Sequence, residues 1–264
     1  MPNPLRVALD QGTGRSGDTD SALTRLHESA RAAAAEGATL LVTPEMSLTG
    51  YNIGERVREL AEPADGRLFE AVARIAGDTG VAVVYGFAEL ADGRVYNAVR
   101  LVDTDGVSRA LYRKTHLFGD LDRNLFDPGE ELVVQADLDG HRLGFIVCYD
   151  VEFPEIVRAH AMAGTTLLIV PTALMAPTTS VATLLVPARA MENQIHLAYV
   201  NRCDAEGGLD YVGLSTLVGP DGAELLRAGP TEELLVGDVE PTAVETVRAE
   251  QFYLRDRRTD LYGR

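Results

Sequence analysis

The sequence predicts a mixed α/β sandwich, and three observations predict it. Short runs that are apolar throughout, such as "GFIVCY" (144–149) and "TLLIVPT" (166–172), have the composition of strands covered on both faces. Amphipathic helical patterns alternate with these runs. Pairs of strand patterns joined by Asp-Gly turns, at Asp105-Gly106 and Asp139-Gly140, add antiparallel partners to the parallel ones.

Taken in order, "LRVALDQ" (5–11) is a buried strand, and 18–37 is a helix opened by Asp20 or Ser21 and stopped by Gly37. "TLLVTPE" (39–45) is the next strand, 66–80 a helix and 81–90 a strand. Residues 92–107 form a hairpin, and 131–150 supply two strands around Asp139-Gly140. Pro154 starts a helix that ends at Gly164. A strand at 166–173, a long helix across 179–195 and a strand at 197–202 follow. The turn "GPDG" (219–222) separates two further strands, and the tail (240–264) is helical, then extended and charged.

No repeat and no linker interrupt the 264 residues, so one domain over 1–264 is expected. At 46% hydrophobic residues the chain can bury a sizeable core. A net charge of −16 argues against binding nucleic acid or an anionic membrane, which require clustered Lys and Arg. No apolar run approaches the roughly 20 residues of a membrane span. The N-terminal residues show no secretory pattern, so the cytoplasm is the expected compartment, and Cys148 and Cys203 are expected as free thiols.

Three polar residues stand where strands end. Lys114 is the one lysine among 24 basic residues, which matters where a compact ammonium must fit a tight site. Cys148 lies between an apolar strand and a helix, where a sharp turn can lift a nucleophile and aim backbone N–H groups at an oxyanion. Buried as a plain core hydrophobe, it would do neither. Glu45 follows an apolar strand and a proline; it either caps a turn at the sheet rim or serves as a base with a raised pKa. The histidines give the thiol little support. His27, His141 and His160 are expected at the surface, and only His116 lies near the candidate site. "DQGTGRSG" (10–17) lacks the last glycine spacing of a dinucleotide loop, and no His/Cys set has metal-ligand spacing.

The blocks "LLVTPEMSLTGY" (40–51), "YRKTHLF" (112–118) and "GFIVCYDVEFPE" (144–155) resemble the nitrilase superfamily of carbon–nitrogen hydrolases, in that family's order. A narrower likeness, to amidases of 5-aminopentanamide, rests on "LTGYNIG" (48–54), 112–129 and "ARAMENQ" (188–194). The resemblance implies a four-layer α-β-β-α sandwich, a homodimer or larger homo-oligomer using the tail for subunit contacts, and chemistry without cofactor or metal. It implies Glu45, Lys114 and Cys148 as catalytic residues, with the Tyr149 backbone N–H at the oxyanion. A second acid falls to Asp120, with Asp122 as the neighbouring candidate. Tyr51, His116, Glu152, Phe153 and Thr172 are expected to line the pocket, with Arg189 and Asn193 as scaffold. The implied reaction is hydrolysis of a linear aliphatic amide such as 5-aminopentanamide. Other amides, N-carbamoyl amines and nitriles are alternatives within the family. A non-catalytic binding protein, or a peroxide-sensing thiol paired with Cys203, are alternatives outside it.

Overall fold

The alternation of side chains along each strand builds the layers. In the computed structural model, which describes residues 3–262, β1 (Leu5–Gln11), β2 (Leu40–Val42), β3 (Ala82–Ala91), β4 (Arg94–Val102) and β5 (Ser108–Arg113) belong to one sheet. The second sheet holds β6 (Val134–Leu138), β7 (His141–Phe145), β8 (Leu167–Pro171), β9 (His196–Val200), β12 (Thr216–Val218) and β13 (Glu224–Arg227). A short hairpin of β10 (Ala205–Glu206) and β11 (Leu209–Asp210) precedes β12, and β14 (Glu233–Val239) returns to the first sheet. The strand orders are β14-β1-β2-β3-β4-β5 and β13-β12-β9-β8-β7-β6. Each sheet has three parallel strands at its centre, β1-β2-β3 and β7-β8-β9, with antiparallel strands outside them.

Val7, Leu9, Leu40, Val42 and Val84 share one core with Leu143, Phe145, Leu167 and Ile169 of the other sheet. The intervening residues Ala8, Leu41, Val83 and Tyr85 face the opposite way, against α1 (Thr19–Ala35) and α3 (Arg67–Thr79). On the second sheet α5 (Pro154–Met162) and α6 (Val186–Asn193) supply Ile156, Val157 and Ala190. Helix, sheet, sheet and helix are therefore the four layers. Each fully buried Leu, Ile or Val contributes about 1.5–3 kcal/mol.

Several boundaries differ from the sequence reading. Asp18 caps α1, accepting from Ser21 N at 3.0 Å, because its side chain reaches the free N–H of the third helical residue. β2 stops at Val42, since Pro44 has no N–H for the ladder. The helix expected across 179–195 begins as a π turn (Val181–Leu185) before Pro187, whose ring crowds the carbonyl four residues back. The short helices α2 (Arg56–Leu60) and α4 (Gly119–Arg123), the strand β14 and the hairpin β10-β11 have too little pattern to be read from sequence. The tail folds as α7 (Ala243–Glu250) and then turns, and Gln194 Nε2 donates to the Gln251 carbonyl at 2.7 Å.

His141 and His160 are buried, against expectation. His160 turns to the sheet rather than to solvent, and Gly144 admits it: a Cβ there would lie 2.5 Å from His160 Nδ1. His141 Nε2 lies 3.3 Å from the Asn3 carbonyl. His27 is only partly buried.

Candidate active site

Glu45 is carried by the turn that follows β2. Thr43 N donates to the Val84 carbonyl and Leu48 N to that of Gly86, so the turn lies along β3. Gly86 is required there, because a Cβ would stand 2.4 Å from Met46 N. Met46 itself has φ +53°, the left-handed conformation that tightens the turn. Across the sandwich Glu45 N reaches the Thr172 carbonyl at 3.4 Å. The Glu45 side chain is fully buried. Its Oε1 accepts from Asn97 Nδ2 at 2.6 Å and from Lys114 Nζ at 2.8 Å, while Oε2 has no partner among the described residues.

Lys114 follows β5, with its N–H on the Asn97 carbonyl at 2.9 Å and its own carbonyl accepting from Gly129 N at 2.8 Å. Its ammonium also donates to Asp122 Oδ2 at 2.7 Å. Asp122 sits in α4, is fully buried, and accepts from the Tyr51 hydroxyl at 2.7 Å and from Phe118 N at 2.9 Å. The expectation for Asp120 is corrected: it lies on the exposed side of the same helical turn, and the carboxylate on the lysine is that of Asp122.

Cys148 follows β7 at φ +48° and opens a 3₁₀ turn (Cys148–Glu152). This strained strand-to-helix reversal has the geometry of a nucleophile elbow. Asp150 within it is fully buried and anchors the site. It accepts from the Tyr112 hydroxyl (2.8 Å), the Thr115 hydroxyl (2.9 Å), His116 N (2.9 Å) and Val147 N (2.9 Å), and it lies 2.8 Å from His116 Nδ1. The loop after Lys114 is thereby fastened to the cysteine elbow. From below, Arg189 donates to the Val151 and Glu152 carbonyls at 3.1 and 2.9 Å, and Asn193 holds the Arg189 carbonyl at 2.9 Å.

Tyr51 is buried with its ring beneath the ammonium, 5.6 Å away. His116 stacks on Phe153 at 4.0 Å, Phe153 meets Tyr149 edge-on, and Tyr149 meets Phe118. His116, Tyr149 and Phe153 line an open pocket with Phe126 and Pro128. Glu152 is half-buried, and Thr172 donates to the Tyr199 hydroxyl at 3.1 Å. Cys203 is partly buried, and its Sγ donates to the Gln11 carbonyl at 3.7 Å. Sequence reasoning missed the roles of Asn97 and Asp150. Their only signals are a polar residue inside an apolar strand and an acid two places after the cysteine.

Burial and neighbouring charge shift Glu45, Lys114 and Cys148. Burial raises the Glu45 carboxyl, Lys114 pulls it back, and Asp122 raises it again. Burial alone would lower the Lys114 ammonium, yet Glu45, Tyr51 and Asp122 hold it well above its ordinary value. Burial pushes the Cys148 thiol far up and Glu45 adds to this, against Lys114 and the Thr172 hydroxyl. The thiol is thereby held neutral and Lys114 held as an ammonium. Among the described residues no group of three or more His, Cys, Asp or Glu side chains gathers to hold a metal ion.

The family model for carbon-nitrogen hydrolases matches residues 6–249. The chain belongs to this family. It is a hydrolase of carbon–nitrogen bonds, with the sandwich of the nitrilase superfamily. A hydrolase of Pseudomonas protegens is 46% identical over 98% of this chain and 90% of that protein. An (R)-stereoselective amidase of a Pseudomonas species is 37% identical over 98% of this chain and 93% of its own. The amidase of Nesterenkonia sp. AN1, solved as a double mutant in complex with acrylamide, superposes with a TM-score of 0.89. It is 37% identical, over 98% of this chain and 95% of that one. Another of its mutants carries the acetamide moiety of fluoroacetamide covalently on the active-site cysteine.

Proposed function

We propose that this carbon–nitrogen hydrolase is an amidase of linear aliphatic amides, 5-aminopentanamide among them, with Cys148, Glu45 and Lys114 as its catalytic residues. The observation that carries the reading is the asymmetry of Glu45. One carboxylate oxygen is fixed by Asn97 and Lys114, and the other is left without a partner among the described residues. A thiol held neutral cannot attack until a base takes its proton, and Glu45 Oε2 is the acceptor on offer. The Nesterenkonia amidase supports the reading through its complexes with acrylamide and butyramide.

Cys148 Sγ attacks the amide carbonyl as its proton passes to Glu45. Lys114 and the Tyr149 N–H receive the oxyanion. Glu45 then protonates the departing nitrogen, the C–N bond breaks, and ammonia leaves a thioester on Cys148. Water, deprotonated by Glu45, attacks the thioester, and the proton returns to sulfur as the acid departs. Asp122 holds the ammonium from its other side. The reading also has the protein working in the cytoplasm as a single-domain homo-oligomer. The tail, with Phe252, Tyr253, Leu261 and Tyr262 exposed, serves as contact surface.

The test is ammonia release from 5-aminopentanamide, pentanamide, an N-carbamoyl amine and a nitrile, with Cys148→Ala as control. Cys148-dependent release with preference for the amino-amide is expected. Activity on the neutral amide alone discards 5-aminopentanamide, and release confined to the carbamoyl amine or nitrile discards the amidase. No Cys148-dependent release from any of the four leaves a binding protein.

A further inference from the structure

Arg202 is among the largest fully buried side chains, and the glycine-spaced loop 10–17 closes over it: a Cβ at Gly14 would lie 2.2 Å from its Nη2. Its Nε and Nη2 grip the Asp204 carboxylate at 2.9 and 2.7 Å, and Nη1 donates to Glu206 Oε2 at 2.9 Å. The guanidinium face lies 4.6 Å over the Tyr211 ring. Glu206, 1% exposed, sits in β10. Its Oε2 also accepts from Tyr51 N (3.0 Å), Asn52 N (2.6 Å) and the Tyr211 hydroxyl (3.1 Å), and its Oε1 from the Ser16 hydroxyl (2.5 Å).

Burying such an ion pair costs several kcal/mol per ion, so it is weak evidence for stability, and its worth is sought in the geometry it fixes. What Glu206 fixes is the backbone of Tyr51 and Asn52. The Tyr51 hydroxyl holds Asp122 Oδ1 at 2.7 Å, and Asp122 Oδ2 holds Lys114 Nζ at 2.7 Å. Buried hydrogen bonds therefore lead from Arg202 through Glu206 to the Tyr51 backbone, and from the Tyr51 hydroxyl through Asp122 to the ammonium, with the Tyr51 side chain joining the two.

We infer that Glu206, held by Arg202, is a positioning residue for the reaction: it fixes Tyr51 so that Tyr51 and Asp122 aim the Lys114 ammonium. The inference rests on the catalytic role proposed for Lys114. It gives the hairpin β10-β11, which carries no reacting group, a part in setting turnover.

The experiment is a double-mutant cycle on kcat with Glu206→Gln and Tyr51→Phe in the full-length protein. Glu206→Gln is expected to lower kcat by about 10- to 100-fold, the scale of a small misplacement, with KM moving by no more than about threefold. In the Tyr51→Phe background, where the link to Asp122 is already cut, the same change should cost no more than about threefold. Equal losses in both backgrounds, or a Glu206→Gln kcat near that of the unmutated enzyme, overturn the inference. Should Glu206→Gln fail to fold, Tyr211→Phe removes a donor to the same oxygen without unpairing a charge. Its smaller loss must then likewise vanish in the Tyr51→Phe background. Lys114→Met tests the reading beneath. Full activity there sinks the role of the lysine itself, whereas equal losses in an enzyme that needs Lys114 sink only the positioning role.

Discussion

Replacing Glu45 by glutamine separates a proton acceptor from the scaffold that holds it. Asn97 Nδ2 and Lys114 Nζ both donate to Oε1. The glutamine must therefore turn its carbonyl oxygen to them and place its NH₂ where Oε2 stood. Shape is kept and the acceptor is lost. General-base catalysis contributes about 10²–10⁴-fold, or about 3–5 kcal/mol of barrier, and kcat/KM for amides should fall by that amount. A second consequence has the opposite sign. The Glu45 charge raises the Cys148 thiol, and removing a neighbouring charge moves a pKa by about 1–3 units. The variant's thiol should titrate lower and be alkylated more readily at a given pH, although the enzyme turns over more slowly. The assay pairs ammonia release with the pH dependence of iodoacetamide labelling in a Cys203→Ser background. That background removes the other thiol, which burial and nearby carboxylates push up to about 11. Turnover within about tenfold of the unmutated enzyme, or a thiol that titrates higher, would refute the assignment of Glu45 as the base.

Two further outcomes test the scaffold. Gly86→Ala sets a Cβ against Met46 N and the Pro44 carbonyl, so the turn bearing Glu45 must shift. Stability should fall by about 1–3 kcal/mol and kcat by up to about 100-fold, read by thermal unfolding and turnover; unchanged kcat would mean that the turn tolerates displacement. His160 and His196 are both pushed down to about 4 by burial. Stability is then complete above the unfolded value near 6.5 and is lost as pH falls toward 4, because the unfolded chain takes up protons that the fold refuses. Between pH 7.5 and 5 each histidine should cost about 2 kcal/mol. Asp10 and Glu45, whose carboxyls burial raises, act in the opposite sense. The contribution of His160 is therefore read by denaturant unfolding as the difference from His160→Asn, and profiles of equal slope would contradict it.

What the sequence disclosed follows the range of the forces involved. Strands such as Leu5–Gln11 and Leu167–Pro171 are legible because burial on both faces leaves a local apolar run. The sharp turn at Cys148 is legible from the strand and helix on either side of it. β14 was not, since its place is set by pairing Leu5 with Val239 across the length of the chain. The choice between Asp120 and Asp122 was not legible either: both lie in one short helix, and which of them faces the lysine depends on where Tyr51 stands. His160 looked like a surface residue of an amphipathic helix because the space made for it comes from Gly144 on another element. Asp150 shows the same limit, since its donor Tyr112 comes from β5 of the first sheet and Thr115 from the loop after it. Residue types could be read, but partners could not.

The single lysine then has a physical reason. An ammonium carries three N–H groups in a compact tetrahedron. At Lys114 one meets Glu45 at 2.8 Å and one meets Asp122 at 2.7 Å. In the proposed mechanism the third meets the carbonyl oxygen as it becomes an oxyanion. An arginine fork spreads five donors over three nitrogens in one plane; Arg202 bridges Asp204 and Glu206 in that way, but its donors do not diverge from a single atom. Arginine suits the pairs elsewhere in this chain, as where Arg202 meets Asp204 with both arms or Arg113 meets Glu89. Between Glu45 and Asp122, with the reacting oxygen of the proposed mechanism to be met as well, the donors must point in three directions from one atom.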